Sequence, residues 1–115
     1  MRMLVCGGRD FKDRAFLFDV LDRYLVSREV TDLIHGAARG ADALAHQWAY
    51  ERQVRMWPFP ADWKRDGKAA GPIRNQRMLD EGRPNFVVAF PGGKGTADMI
   101  QRAKTAGLEV RPHAP

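Results

Sequence analysis

Two short runs, Met3-Leu4-Val5-Cys6 and Phe86-Val87-Val88-Ala89-Phe90, are apolar at every position. Each stops on glycines, Gly7-Gly8 in the first case and Pro91-Gly92-Gly93 in the second. A strand apolar on both faces has to be covered on both, which marks an interior strand of a parallel sheet. Between these runs the pattern alternates. From Arg14 onward Leu17, Val20, Leu21, Tyr24 and Leu25 fall at helical spacing. Thr31 to His35 reads as a second strand ending at Gly36, and Ala41, Leu44, Ala45 and Trp48 mark a second helix. Val54 to Phe59 reads as a third strand, which Pro58 shortens or places at a sheet edge. Pro60 to Gly71 reads as irregular, and Pro72 suits the first turn of a helix running to Gly82. After the strand at 85–90, a helix bearing Met99, Ile100, Ala103 and Ala106 stops at Gly107, and Leu108 to Val110 reads as a last strand.

Strands alternating with helices over short connections predict an α/β, Rossmann-like three-layer fold. It should have about five mostly parallel strands, with helices on both faces. The commonest order for such a chain, 3-2-1-4-5, sets the first and fourth strands side by side, so their following loops share one crevice. At 115 residues the chain predicts a single domain over 1–115, without repeats, low-complexity tracts or a linker. No apolar run approaches the ~20 residues of a membrane helix, and the opening run ends too soon for a signal peptide. A cytoplasmic protein is expected. The lone Cys6 fits a reducing compartment and reads as a small core residue.

The net charge of +5 favours anionic ligands, although the basic residues are scattered rather than clustered. The loop Pro91-Gly92-Gly93-Lys94-Gly95-Thr96 lies between a buried strand and a helix, where free N–H groups and the helix dipole attract an anion. Thr96 can donate its hydroxyl or cap the helix, and Lys94 can add charge. A Walker A loop is absent, because Lys94 is followed by Gly95 and position 88 is Val88. The first turn, Gly7-Gly8-Arg9-Asp10, lacks the third glycine of the dinucleotide fingerprint. The second glycine loop runs from His35 and Gly36 to Arg39, Gly40, Ala41 and Asp42. In it Arg39 can contact phosphate, and Asp42 can accept from ribose hydroxyls or simply compensate the helix dipole. Arg9 and Asp10 belong to the same crevice or to a local turn, and His35 is an acid–base group or a structural histidine. Trp57, Trp63 and Phe59 lie around the third strand, where packing or a subunit contact is the ordinary role and base stacking the alternative.

Five segments, GGRDF at 7–11, HGAARGADALA at 35–45, FPADW at 59–63, GPIRNQRM at 71–78 and FPGGKGTADM at 90–99, resemble in collinear order the YspA, cpYpsA-related family of the SLOG superfamily. The resemblance implies a Rossmann-like fold that binds a nucleotide-like small molecule, with 91–96 as its phosphate site. It also implies that Arg74 and Asn75 face the ligand while Arg77 is open to either side. Relatives in the superfamily, the LOG enzymes, hydrolyse the N-glycosidic bond of nucleoside monophosphates and carry a loop that looks like PGGxGTxxE. Here the last position is Met99, and Asp98 comes one residue early, a turn of ~100° on a helix. A hydrolase would need a carboxylate to position water near an oxocarbenium-like centre, and Asp98, Asp42 and Asp10 are the candidates. Mg2+ accompanying a nucleotide is the one cofactor expected, with no protein metal site. The resemblance also implies a homodimer. DNA binding, suggested by the charge and by a distant likeness to the DNA-uptake protein DprA, ranks lower, since no recognition helix or stacking series is evident.

Overall fold

Alternate residues of the first strand point into two different cores, and this alternation organises the whole molecule. The computed structural model describes residues 1–115. In β1 (Arg2–Cys6), Met3 and Val5 join a cluster with α1 (Arg14–Ser27) and α2 (Ala41–Arg52). Leu4 and Cys6 join a second cluster, on the opposite face, with α4 (Ala70–Asp80) and α5 (Lys94–Thr105). The period-two pleat therefore makes three layers, as the wholly apolar run requires.

The remaining strands are β2 (Asp32–His35), β3 (Arg55–Pro58), β4 (Phe86–Ala89) and β5 (Glu109–Pro112), and every pairing is parallel. The order is β3-β2-β1-β4-β5, as the alternation predicts. Met3 pairs with Phe86 and Cys6 with Ala89, so the loops after β1 and β4 leave the sheet together. The two edge strands are the ones ending in proline, Pro58 and Pro112, where a missing N–H is tolerated.

Local chemistry sets most boundaries. The Asp13 carboxylate caps α1 by accepting from the Phe16 N–H at 3.1 Å. Gly107, at φ 79°, lies just beyond α5 in the left-handed region that ends helices. Trp48 is fully buried, and its indole N–H donates to Asp22 at 2.8 Å. Arg52 binds the same carboxylate at 2.8 Å, tying α2 to α1.

Three details differ from the sequence expectation. The stretch from Pro60 to Gly71 holds a short helix, α3 (Trp63–Asp66), and a 3-10 turn over Gly67–Ala69. The side chain of Asp62 starts this turn, accepting from the Arg65 N–H at 3.1 Å, a cap that the run of charges obscured. The last strand begins and ends later than expected, because pairing with β4 continues to Pro112. Ala106 is exposed, past the end of α5.

Candidate functional site

A cavity of about 630 Å³ opens at the carboxyl ends of β1, β2 and β4, within the size range of small-molecule sites. A shallower hollow of about 700 Å³ lies at the other end of β2 and β3, around Asp32, Tyr50 and Arg55, and none of the glycine loops reaches it.

The cavity is built on contacts between loops. The Gly8 N–H donates to the Pro91 carbonyl at 2.8 Å, and the Gly8 carbonyl accepts from Ala41 at 3.1 Å and Phe11 at 3.3 Å. Three loops thus meet at one residue. A Cβ on Gly40, which sits at φ 79°, would lie 2.2 Å from the Gly8 oxygen, and one on Gly92 would lie 2.7 Å from the Gly8 nitrogen. One on Gly7 would lie 2.6 Å from the Cβ of Ala41. These glycines serve close packing of loop on loop, against backbone at Gly40 and against side chains as well at Gly7 and Gly92. At Gly93 and Gly95 an added Cβ would meet nothing within 4 Å.

The two loops singled out in the sequence differ in where their N–H groups go. Over 36–38 all three are taken. Gly36 and Ala38 donate to Asp42 Oδ2 at 3.1 and 3.3 Å, and Ala37, itself at φ 57°, donates to His35 Nδ1 at 3.0 Å. This segment satisfies its own backbone and has no N–H to offer a phosphate. At α5 the opposite holds. No side chain caps the helix, Thr96 included, and the N–H groups of Lys94, Gly95 and Thr96 have no partner. They border the cavity with the positive end of the helix dipole behind them.

The side chains divide in the same way. Gly7, Gly8, Arg9, Asp10, Asp42, Arg74, Asn75, Gly93, Lys94, Gly95, Thr96 and Asp98 line the cavity. Gly36, Arg39, Gly40, Pro91 and Gly92 do not line it. Arg39 is exposed and reaches only Asp10, at 3.5 Å. Pro91 and Gly92 face a separate groove beside His113. Gly36 is hidden beneath Arg74, whose guanidinium donates to the Gly36 carbonyl. Asn75 is buried and fully engaged: it accepts from Arg74 Nε at 3.1 Å and donates to the Gly95 carbonyl at 3.2 Å and Asp98 at 2.9 Å. It fixes the start of α5 against α4. Arg77 pairs with Glu81 on the outer side of α4.

Lining residues that the sequence did not assign to the site include Trp63, Lys68 and Pro72, contributed by α3, the turn after it and the first turn of α4. Charged side chains on the wall are Arg9, Lys68, Arg74 and Lys94 against Asp10, Asp42 and Asp98. The acids stay apart, and no three His, Cys, Asp or Glu side chains converge as metal ligands would.

Titration properties distinguish the acids. Burial pushes Asp42 up to about 6, against the N–H groups of Ala38 and Gly36 and the charge of Arg74. Its Oδ1 has no hydrogen-bond partner, and no unpartnered side-chain oxygen in the protein is sealed from solvent, so Oδ1 opens to the cavity. Asp98 is partly buried, but bonds from Arg102 at 2.8 Å and from Asn75 hold it below the usual carboxylate range. Asp10 is exposed. His35 is pushed down to about 4 by burial, then by His46 and Arg74. Since Nδ1 accepts from Ala37, its proton lies on Nε2, which faces His46 Nδ1 at 2.9 Å. His35 is thus a neutral structural group. Burial raises the Cys6 thiol to about 12, which makes it inert at neutral pH.

Fold and cavity together define a Rossmann-like α/β protein with an open crevice at its topological switch point. Residues 1–65 match the YspA, cpYpsA-related SLOG family. The Gene 61 protein of Mycobacterium phage D29 is similar, 38% identical over 117 residues that cover 95% of this chain and 93% of that protein. No solved structure matches the chain. The chain belongs to the YspA, cpYpsA-related SLOG family, a membership that points to a nucleotide-related function.

Proposed function

We propose that the protein binds a nucleotide or nucleotide-derived ligand, with a phosphate held on the N–H groups of Lys94, Gly95 and Thr96. The observation that carries this reading is the uncapped start of α5 beside a cavity, with open space at Gly93 and Gly95. Three partnerless donors, a helix dipole and the Lys94 ammonium suit an anion, whereas the segment 36–38 uses its donors internally. Arg74, on the wall, adds a second cation toward the sugar side. A Mg2+ ion arriving with the ligand would be carried on its phosphates, since the three wall acids do not converge on one point.

Calorimetric titration with nucleoside mono- and diphosphates tests the reading, with thermal shift as a check. A ligand at about 100 times its Kd stabilises the fold by about 2.7 kcal/mol. Absence of heat and of any melting shift across the panel would overturn the proposal.

A second reading, hydrolysis of the ligand's N-glycosidic bond, is favoured by one observation: Asp42 is held by one oxygen, free at the other and raised to about 6. Such a carboxylate can orient water or take a proton near neutral pH, which the ion-paired Asp98 does poorly. Release of free base, measured by chromatography, distinguishes the two. Bound ligand that stays intact across pH 5 to 8 leaves the binding reading alone.

A further inference from the structure

Of the three tryptophans, Trp63 is the one without a partner for its indole N–H. Trp48 donates to Asp22 at 2.8 Å and Trp57 to Asp32 at 2.6 Å. Trp63 donates to nothing, is 50% exposed, and forms part of the cavity wall. Its contact there is the guanidinium of Arg9, 5.3 Å from the ring centroid. Arg9 in turn makes no hydrogen bond or ion pair, so a cation with five donors lies on an unpartnered aromatic face inside the cavity.

Two further features keep this end open. A Cβ on Gly71 would come 3.6 Å from the Trp63 ring edge, so glycine leaves a slot beside it. Pro72 and Lys68 complete the wall, and Trp63 keeps half its surface exposed.

We propose that Trp63 is the stacking platform for an aromatic base, so that the ligand is a base-bearing nucleotide rather than a bare sugar phosphate. This rests on the phosphate site proposed above. Trp63 and the N–H groups of Lys94, Gly95 and Thr96 border one cavity. Gly8 is bonded to Pro91, so the Arg9 side chain starts beside the loop before α5 and ends on the indole. A base stacked on an indole is held more strongly than an exposed guanidinium, so the base takes the ring face and Arg9 turns its donors to the phosphate.

The test measures binding of the four ribonucleoside 5′-monophosphates and of ribose 5-phosphate to the wild type, Trp63→Phe and Trp63→Ala. At least one nucleotide should bind the wild type about 10- to 100-fold more tightly than ribose 5-phosphate. Trp63→Ala should remove that advantage and leave ribose 5-phosphate unchanged, while Trp63→Phe keeps most of it. Nucleotide binding should also quench tryptophan emission in the wild type and much less in Trp63→Phe. Equal affinity for ribose 5-phosphate and all four nucleotides overturns the platform and leaves the phosphate site standing. Equal weakening of every ligand by Trp63→Ala also overturns it. Binding of none of the five overturns both.

Discussion

Asp42 and Asp98 line the same cavity and each accepts two hydrogen bonds on Oδ2, yet their surroundings move them in opposite directions. Bonds from Arg102 and Asn75 hold Asp98 low, whereas burial raises Asp42, which only backbone N–H groups bond. A buried, incompletely bonded carboxylate is unfavourable to the fold, and residues of that kind concentrate at functional sites.

The raised value gives a stability prediction with a definite sign. Folded Asp42 keeps its proton up to about pH 6, while the unfolded carboxyl loses it near the ordinary value of 3.8. Its contribution is fully present below pH 3.8 and is lost as pH rises through about 6. Asp42→Asn, whose amide oxygen still accepts from Gly36 and Ala38, should gain on the wild type by up to about 3 kcal/mol between pH 4 and 6. Chemical denaturation at several pH values measures it, and parallel curves would refute the assignment. On the hydrolytic reading, the same variant should also lose turnover.

His35 works in the opposite direction over nearly the same interval. Burial lowers it from 6.5 to about 4, so its stabilising contribution is present above pH 6.5 and is lost as pH falls through about 4. A second proton on the ring would remove the acceptor of the Ala37 N–H, which holds a residue at φ 57°. Between pH 4 and 6.5 the His35 slope therefore opposes the Asp42 slope, each on the order of 3 kcal/mol. Replacing His35 by Asn, which retains an acceptor near Nδ1, should make stability fall more steeply with rising pH than in the wild type. Parallel profiles for the variant and the wild type would contradict the assignment.

Gly40 and Gly95 should respond oppositely to alanine. At Gly40 a Cβ would overlap the Gly8 oxygen at φ 79°, where no side chain is at ease. Gly40→Ala should cost more than about 2 kcal/mol and separate the loops that form the crevice. Gly95 lies in the first turn of α5 with open space around it. Gly95→Ala should stabilise the fold by about 0.5–1 kcal/mol by restricting the unfolded chain. Thermal melts of the two variants decide whether these glycines have the separate roles assigned to them.

The strand order and the two-faced core could be read from the sequence because runs such as Met3 to Cys6 leave an interior parallel strand as their natural place. The roles of the glycines could not. Gly36, Gly40, Gly92, Gly93 and Gly95 look alike in a chain, and only the approach of one loop to another separates close packing at Gly40 and Gly92 from open space at Gly93 and Gly95. Arg39 reads like a phosphate contact because it carries a fork of donors in a glycine loop between strand and helix, yet it lies exposed beside Gly40. Trp57, Phe59 and Trp63 are neighbours in sequence and end in three places. Trp57 meets Arg2 and Asp32, Phe59 enters the core beside α4, and Trp63 crosses to the cavity because Asp62 starts a new turn. A cap three residues before Arg65 is the one local signal that could have revealed α3.

Gly93 precedes α5 at φ −101°, outside the left-handed region, so the sign of φ does not require glycine there. Nor does packing, since nothing lies within 4 Å of an added Cβ. The remaining reason for glycine is space on the cavity side. Gly93→Val replaces a favourable N-cap residue and should cost about 1 kcal/mol, leaving the variant folded. Its branched side chain should fill the volume in front of the Lys94, Gly95 and Thr96 N–H groups and weaken nucleotide binding at least 100-fold. Calorimetry on the folded variant measures the loss, and an unchanged affinity would place the phosphate elsewhere in the crevice.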